Sequence, residues 1–253
     1  MINTVTHGDA FALLPQLADA SVDLVLTDPP YGTTACRWDD NLARKGRGQA
    51  ESQLQVLFRE LRRVVKPTGA VLVFAQQPFA TDCINAWRQG FRYEWVWHKP
   101  IATGFLNANR APLRSHELVL VFYHKQPYWH WRHEWHGRPT TPVEGKDYIY
   151  QRRGHDRRQA KLGKPRDVLA YAQDKRQRDP FRHPTRKPEA LVRFLIETYT
   201  RPGELVLDPF AGSGTTAAAA VATGRAFATF ERDPEYAQVA RDRVAAAGLP
   251  HAD

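Results

Sequence analysis

The chain has 253 residues, of which 42% are hydrophobic and 25% charged; this is enough for one large domain and excludes wholesale disorder. The longest uncharged run, residues 209–224, is 16 residues broken by Gly and Ser, too short and polar to cross a bilayer, and two cysteines exclude a disulfide framework or a cysteine-based zinc site. The net charge is +9, and it is concentrated: residues 125–187 hold 17 Lys and Arg against 7 Asp and Glu, a net of +10, whereas the other 190 residues carry −1. Such a stripe on a near-neutral body points to a polyanion, nucleic acid before a merely solvated surface.

In chain order, the N-terminus has neither the basic start nor the apolar stretch of a signal peptide, so a cytoplasmic location is expected. Residues 4–5 predict a short strand, 10–17 a helix and 21–27 a buried strand ending in DPPY. Apolar residues at 54, 57, 58, 61, 64 and 65 share one helical face, so 51–65 predicts an amphipathic helix, with residues 67–69 as its stop. A strand at 70–75 and a helix near 80–89 follow, then two strands at 93–97 and 117–123 that suit mutual pairing. Residues 125–180 show no sustained period and read as loops with short elements. The pattern resumes with a helix at 187–200, a strand at 204–207, a helix at 215–223, a strand at 226–230 and a helix at 234–246. Alternating strands and helices imply an open, largely parallel α/β sheet covered on both faces, interrupted by a basic insertion.

The second α/β stretch carries a ligand signal. Asp208 ends a strand, Gly212 and Gly214 follow in a turn before a helix, and Glu231 ends the next strand 23 residues on. Glycines let backbone approach a ligand at a helix N-terminus, and an acid about 20 residues beyond accepts hydrogen bonds from ribose hydroxyls. No Gly-Lys-Ser/Thr follows, which disfavours a phosphate-gripping loop. An opening acid repels pyrophosphate and attracts an ammonium. The ligand that fits carries an adenosine-like ribose and a cationic amine, as S-adenosylmethionine does.

The Asp28-Pro29-Pro30-Tyr31 turn follows a strand, where α/β sheets place active sites. An exocyclic amine on a base is a poor nucleophile because its lone pair is delocalised. A carboxylate and a backbone carbonyl accepting its two N–H bonds push the nitrogen toward a tetrahedral lone pair. Pro30 supplies no competing N–H, and the Tyr31 ring offers a face for stacking a base, its hydroxyl being secondary. An ordinary turn with a surface tyrosine is the alternative for this tetrapeptide taken alone.

Taken together, DPPYGT early, HPTRKP and DPFAGSGTT late resemble the DNA amino-methyltransferases that modify adenine N6 or cytosine N4, in the motif order of their β group. GDAFALLPQLADASVDLVLTDPPYGT, WVWHKP, LRSHELVLVFYHK and FERDPEYAQVARDRV extend the resemblance over nearly the whole chain except 125–180. It implies a class I, Rossmann-like methyltransferase fold with a seven-stranded sheet, its last strand antiparallel. Residues 1–124 would be the catalytic half, 125–180 the target-recognition insertion and 181–253 the cofactor half. It also implies S-adenosylmethionine as cofactor with no metal, and double-stranded DNA as partner with no membrane. A homodimer and a companion restriction endonuclease are compatible with it.

By the same resemblance Asp9 contacts the cofactor's adenine and Glu231 its ribose, while Asp208, Phe210, Gly212 and Gly214 line the methionine moiety. His183, Thr185 and Lys187 complete the pocket, and Ala211, Thr215, Arg232 and Asp28 join the cofactor-binding set. Asp28, Pro29, Pro30 and Tyr31 hold and stack a flipped base. Asp at position 28 favours adenine, because the cytosine enzymes of this family more often carry Ser there.

Within the insertion, Arg152, Arg153, Arg157, Arg158, Lys161 and Lys164 suit phosphate contacts. His130, His133 and His136 are spaced by three, as zinc ligands on a helix can be, but the interleaved Trp129, Trp131 and Trp135 favour packing or DNA contact. Cys36 reads as packing, since methyl transfer to an amine needs no thiol nucleophile. Two other readings fit these residues less well. A non-catalytic DNA-binding module is disfavoured by two intact motifs in one chain. A nicotinamide-dependent dehydrogenase has no use for Asp208 or DPPY.

Overall fold

The structure is a computed structural model that describes residues 1–32, 41–46, 50–105, 108–130, 166–172 and 186–248. Its strands are β1 (Thr4–His7), β2 (Val22–Thr27), β3 (Val65–Ala75), β4 (Phe91–Thr103), β5 (Arg114–Phe122), β6 (Val168–Ala170), β7 (Leu205–Asp208) and β8 (Ala226–Glu231). The helices are α1 (Ala10–Leu13), α2 (Gln53–Val64), α3 (Phe79–Ala86), α4 (Glu189–Tyr199), α5 (Thr215–Ala222) and α6 (Pro234–Ala246). The strands form one sheet in the order β1-β8-β7-β2-β3-β5-β4-β6. Among the described strands β5 alone runs antiparallel to its neighbours, β3 and β4, so the expected pairing of 93–97 with 117–123 is present.

The period-two pattern sorts side chains to two faces. Leu24 and Leu26 of β2, Leu72 and Phe74 of β3, and Val119 and Val121 of β5 enter the core under α4, α5 and α6. Val25, Val71, Val73, Leu120 and Phe122 enter the opposite core with Leu54, Leu57, Phe58 and Leu61 of α2. Burial on both faces explains why these strands read as continuous apolar runs rather than alternating ones.

Three local expectations need correction. Among the described residues the sheet has eight strands rather than seven, because β6 pairs in parallel with the outer edge of β4, Val96 opposite Val168. Three residues are too few to show a period, yet Leu169 is buried and Val96 N donates to Asp167 O at 2.8 Å. The segment 10–17 is a four-residue α-helix and then a 3-10 turn, Leu14–Gln16, with a proline near its start; a missing N–H breaks the α pattern there. Finally, 67–69 do not stop a helix. Helix α2, begun by a Ser52–Gln55 capping box, ends at Val64, and Val65 is already extended. Residues 66–69 bulge within β3, whose Val65 pairs with Val22 and Ala70 with Leu24. Gly69 is required in the bulge, since a Cβ there would lie 2.6 Å from Asp23 O.

Among the described residues no helix is long and apolar enough to cross a membrane.

Candidate active site

The two motifs meet because β2 and β7 are neighbours in the sheet, Leu24 opposite Val206 and Val25 opposite Leu207. Their C-terminal ends therefore deliver Asp28 and Asp208 side by side. Thr27 Oγ1 donates to Asp208 Oδ1 at 2.9 Å, and Thr216 Oγ1 at the start of α5 donates to Oδ2 at 2.7 Å. Phe210 N adds a third hydrogen bond at 3.1 Å. Burial nevertheless pushes the Asp208 carboxyl up to about 6, against those three donors.

The glycine turn that follows is left-handed at Gly212 (φ +51°) and Gly214 (φ +78°). Gly214 also packs against α6, where a Cβ would lie 2.8 Å from Ala240 Cα; no larger residue fits. Glu231 locks the turn from β8: Oε2 accepts from Gly212 N at 2.7 Å and Oε1 from Asp233 N at 2.9 Å. On the far side, Arg243 donates to Thr215 Oγ1 at 2.8 Å and to Glu189 Oε2 at 2.9 Å, pinning the start of α5 to α4 and α6.

A cleft of about 1100 Å³, including its open mouth, runs over these strand ends. Asp9, Glu231 and Arg232 line one part of it; Asp208, Phe210, Ala211, Gly212 and Thr215 line the floor. Asp28, Pro30 and Lys187 line the remaining wall, joined by Phe74 and Val192. Asp9 also caps α1, accepting from Phe11 N at 2.7 Å. An acid at one end, a backbone loop in the middle and acids at the other suit an extended ligand with hydroxyls and a cation. Among the described residues no group of three or more His, Cys, Asp and Glu is placed to hold a metal ion.

Asp28 belongs to a charged cluster. Tyr31 donates its hydroxyl to Oδ1 at 2.5 Å, and Lys187 Nζ lies 2.6 Å from Oδ2. Lys187 Nζ is also 3.3 Å from Glu117 Oε2, and Lys99 donates to Glu117 Oε1 at 2.7 Å. Burial raises the Asp28 carboxyl, partly opposed by Lys187. Burial disfavours ionisation of Lys187 and Glu117 too, but their partners outweigh it, holding the lysine above and the glutamate below its ordinary value. The Tyr31 hydroxyl is pushed up by burial and then by Asp28, so it stays a donor. Phe79 stacks on the Tyr31 ring at 5.0 Å between centroids.

Lys187, assigned from sequence to the cofactor pocket, thus lines the cleft and pairs with Asp28 as well. Pro29 and Tyr31 are not among the residues that line this cleft. The hydroxyl of Tyr31, expected to be secondary, is bonded to Asp28. Lys99, Glu117, Thr27 and Thr216 were not singled out by sequence. One signal existed for Glu117: a lone acid at the head of a buried apolar strand. His183, Thr185, Cys36, His133, His136, Trp131, Trp135 and the cluster Arg152, Arg153, Arg157, Arg158, Lys161 and Lys164 lie outside the described residues. Trp129 is described, and stacks on Trp95 at 5.9 Å as a core-lining ring.

An α/β sheet whose adjacent strand ends carry a glycine-turn cleft and an Asp-Pro-Pro-Tyr corner has the fold of class I methyltransferases. A family model described as DNA methylase matches residues 22–242. The chain belongs to the DNA methylase family. It is 27% identical over 277 residues to "DNA adenine methyltransferase YhdJ" of Escherichia coli, covering 95% of this chain and 82% of that protein. It is similar to the crystal structure of the M1.HpyAVI-SAM complex, with 25% identity, a TM-score of 0.63 and coverage of 95% and 98% of the two chains. PvuII DNA methyltransferase, described as cytosine-N4-specific, shares the fold with a TM-score of 0.66 at 19% identity, covering 99% of this chain and 89% of its own.

Proposed function

We propose that the protein transfers the methyl group of S-adenosylmethionine to the exocyclic N6 amine of adenine in double-stranded DNA, after the base leaves the helix. The observation that carries this reading is the Asp28 carboxylate, held by Tyr31 and Lys187 on the wall of the glycine-turn cleft. When bound, the cofactor supplies a sulfonium methyl. Glu231 and Asp9 would hold its ribose and adenine, and the floor from Asp208 to Gly212 its methionine moiety. Asp28 and the Pro29 carbonyl would accept from the two amine hydrogens. Charge grows positive on that nitrogen as the bond forms, so a fixed anion beside it stabilises the transition state more than the ground state. The arginine cluster from Arg152 to Arg158 would neutralise phosphates.

Asp at position 28 supports adenine over cytosine, as does the likeness to a relative described as an adenine enzyme. The test is incubation with S-adenosylmethionine and unmethylated genomic DNA, followed by nucleoside mass spectrometry. N6-methyldeoxyadenosine is the expected product. N4-methyldeoxycytidine would reverse the base assignment, and DNA binding without transfer would favour a non-catalytic module.

A further inference from the structure

Beyond the turn itself, Asp28 sits at the end of a buried row of alternating charges: Lys99, Glu117, Lys187, Asp28. Lys99 is 2% exposed and Glu117 8% exposed, and they come from the neighbouring strands β4 and β5. Lys187 precedes α4, so three elements converge on one carboxylate. Removing four ionisable groups from water is costly, and a row like this persists only when each charge has a partner. Lys99 donates to Glu117 Oε1. Glu117 Oε2 is different: among the described residues it has no hydrogen-bond partner, although Lys187 Nζ stands 3.3 Å away.

That loosely held oxygen has a use. Lys187 occupies Asp28 Oδ2, one of the acceptor positions an incoming amine needs. A carboxylate oxygen accepts more than one hydrogen bond, but an ammonium at 2.6 Å crowds the approach, and a shift of Lys187 opens it provided the ammonium keeps a compensating charge. Glu117 Oε2 is buried and already pairs with Lys187 Nζ at the longer distance of 3.3 Å, so it is within reach of a closer contact. A small shift of Lys187 toward Glu117 keeps the ammonium paired and leaves Asp28 to the amine hydrogens and the Tyr31 hydroxyl.

We propose that Glu117 and Lys99 are positioning residues for methyl transfer: Lys99 anchors Glu117, and Glu117 receives Lys187 as the target amine takes its place on Asp28. The proposal rests on the reading of Asp28 as the amine acceptor. Groups facing Asp28 are Tyr31 on its own loop, Lys187 before α4, Glu117 on β5 and Asp208 at the end of β7.

Two measurements decide it. The first needs no substrate: side-chain carboxyl carbon NMR titration of Asp28 in the full chain, parent against Lys187→Met, Lys187→Arg and Glu117→Gln. Lys187→Met should move the Asp28 midpoint up by about one pH unit or more, with Lys187→Arg staying near the parent. The Glu117→Gln change should shrink when Lys187 is already Met; a change of equal size in both backgrounds would mean that Glu117 acts on Asp28 directly and would overturn the relay. The second is the single-turnover rate of transfer to duplex DNA. Glu117→Gln should slow it about tenfold or more while leaving affinity for S-adenosylmethionine unchanged, and Lys187→Met with Glu117→Gln should be no slower than Lys187→Met alone. Multiplying effects, or a parent rate for Glu117→Gln, would sink the proposal. A parent protein that methylates no DNA would overturn the functional reading instead, and the NMR titration would still decide the charge row.

Discussion

Thr27 and Asp208 are 181 residues apart in the chain, yet the Thr27 hydroxyl donates to Asp208 Oδ1 at 2.9 Å. One hydrogen bond thereby ties the strand that ends in the Asp-Pro-Pro-Tyr corner to the strand that opens the glycine turn. The two halves of the site are set against each other at their roots, before any loop contributes.

The burial of Asp208 at this junction makes stability depend on pH. Burial raises the Asp208 carboxyl to about 6 in the folded protein, above the unfolded value of about 3.9. The folded state therefore binds this proton more tightly, and stability from Asp208 is highest when it is protonated and is lost as pH rises from about 4 to 6. Asp208→Asn removes the ionisation while keeping an acceptor for Thr27 and Phe210. It should stabilise the protein at pH 8 by about 1–3 kcal/mol and leave it near the parent at pH 4. Urea unfolding at both values checks this; equal differences at the two would refute the assignment.

Asp28→Ala should remove most of the turnover, on the order of 10²-fold or more, as for other lost electrostatic partners of a transition state. Cofactor and DNA should still bind. Single-turnover transfer beside calorimetric cofactor binding separates the two effects, and transfer at the parent rate would show the active site to be misplaced.

Tyr31 should matter through its hydroxyl as well as its ring. Tyr31→Phe deletes the hydrogen bond to Asp28, an interaction worth about 1.5–3 kcal/mol with a charged acceptor. It should slow transfer with little effect on base flipping, read by 2-aminopurine fluorescence. Tyr31→Ala should lose a further ~1–3 kcal/mol of base stacking. Identical rates for Phe and Ala would leave the ring without a role.

Glu231→Ala should weaken S-adenosylmethionine binding by about 1.5–3 kcal/mol, and Glu231→Gln by less, because one acceptor remains for Gly212 N. Calorimetry in excess chelator measures both. Binding that appears only with divalent ions would contradict a metal-free organic pocket.

DNA affinity should fall steeply with salt, each neutralised phosphate adding about 0.9 to the slope of log K against log salt. Replacing Arg152, Arg153, Arg157 and Arg158 together by Ala should flatten that slope and leave cofactor affinity alone. An unchanged slope would place the cluster away from the DNA.

Much of this protein is local information. Residues that alternate or recur within a few positions announce their own strand or helix, and α6 falls on the span its sequence predicts, Pro234–Ala246. The corner at Asp28, the turn at Gly212 and Gly214, and the acid at Glu231 are likewise contiguous patterns, legible because backbone geometry demands particular residue types there. What tertiary structure decided lies between distant segments. β6 is too short to carry a period and exists because the edge of β4 offers it hydrogen bonds. The helix stop expected at 67–69 became a bulge because the backbone of β2 passes close to Gly69. Nothing in the sequence pairs Lys99, Glu117 and Lys187 with one another or with Asp28; only the strand order β3-β5-β4, with the segment before α4 folded over it, brings them into one row. Charge pairing acts through space, over a few ångströms, and one-dimensional periodicity carries no record of it.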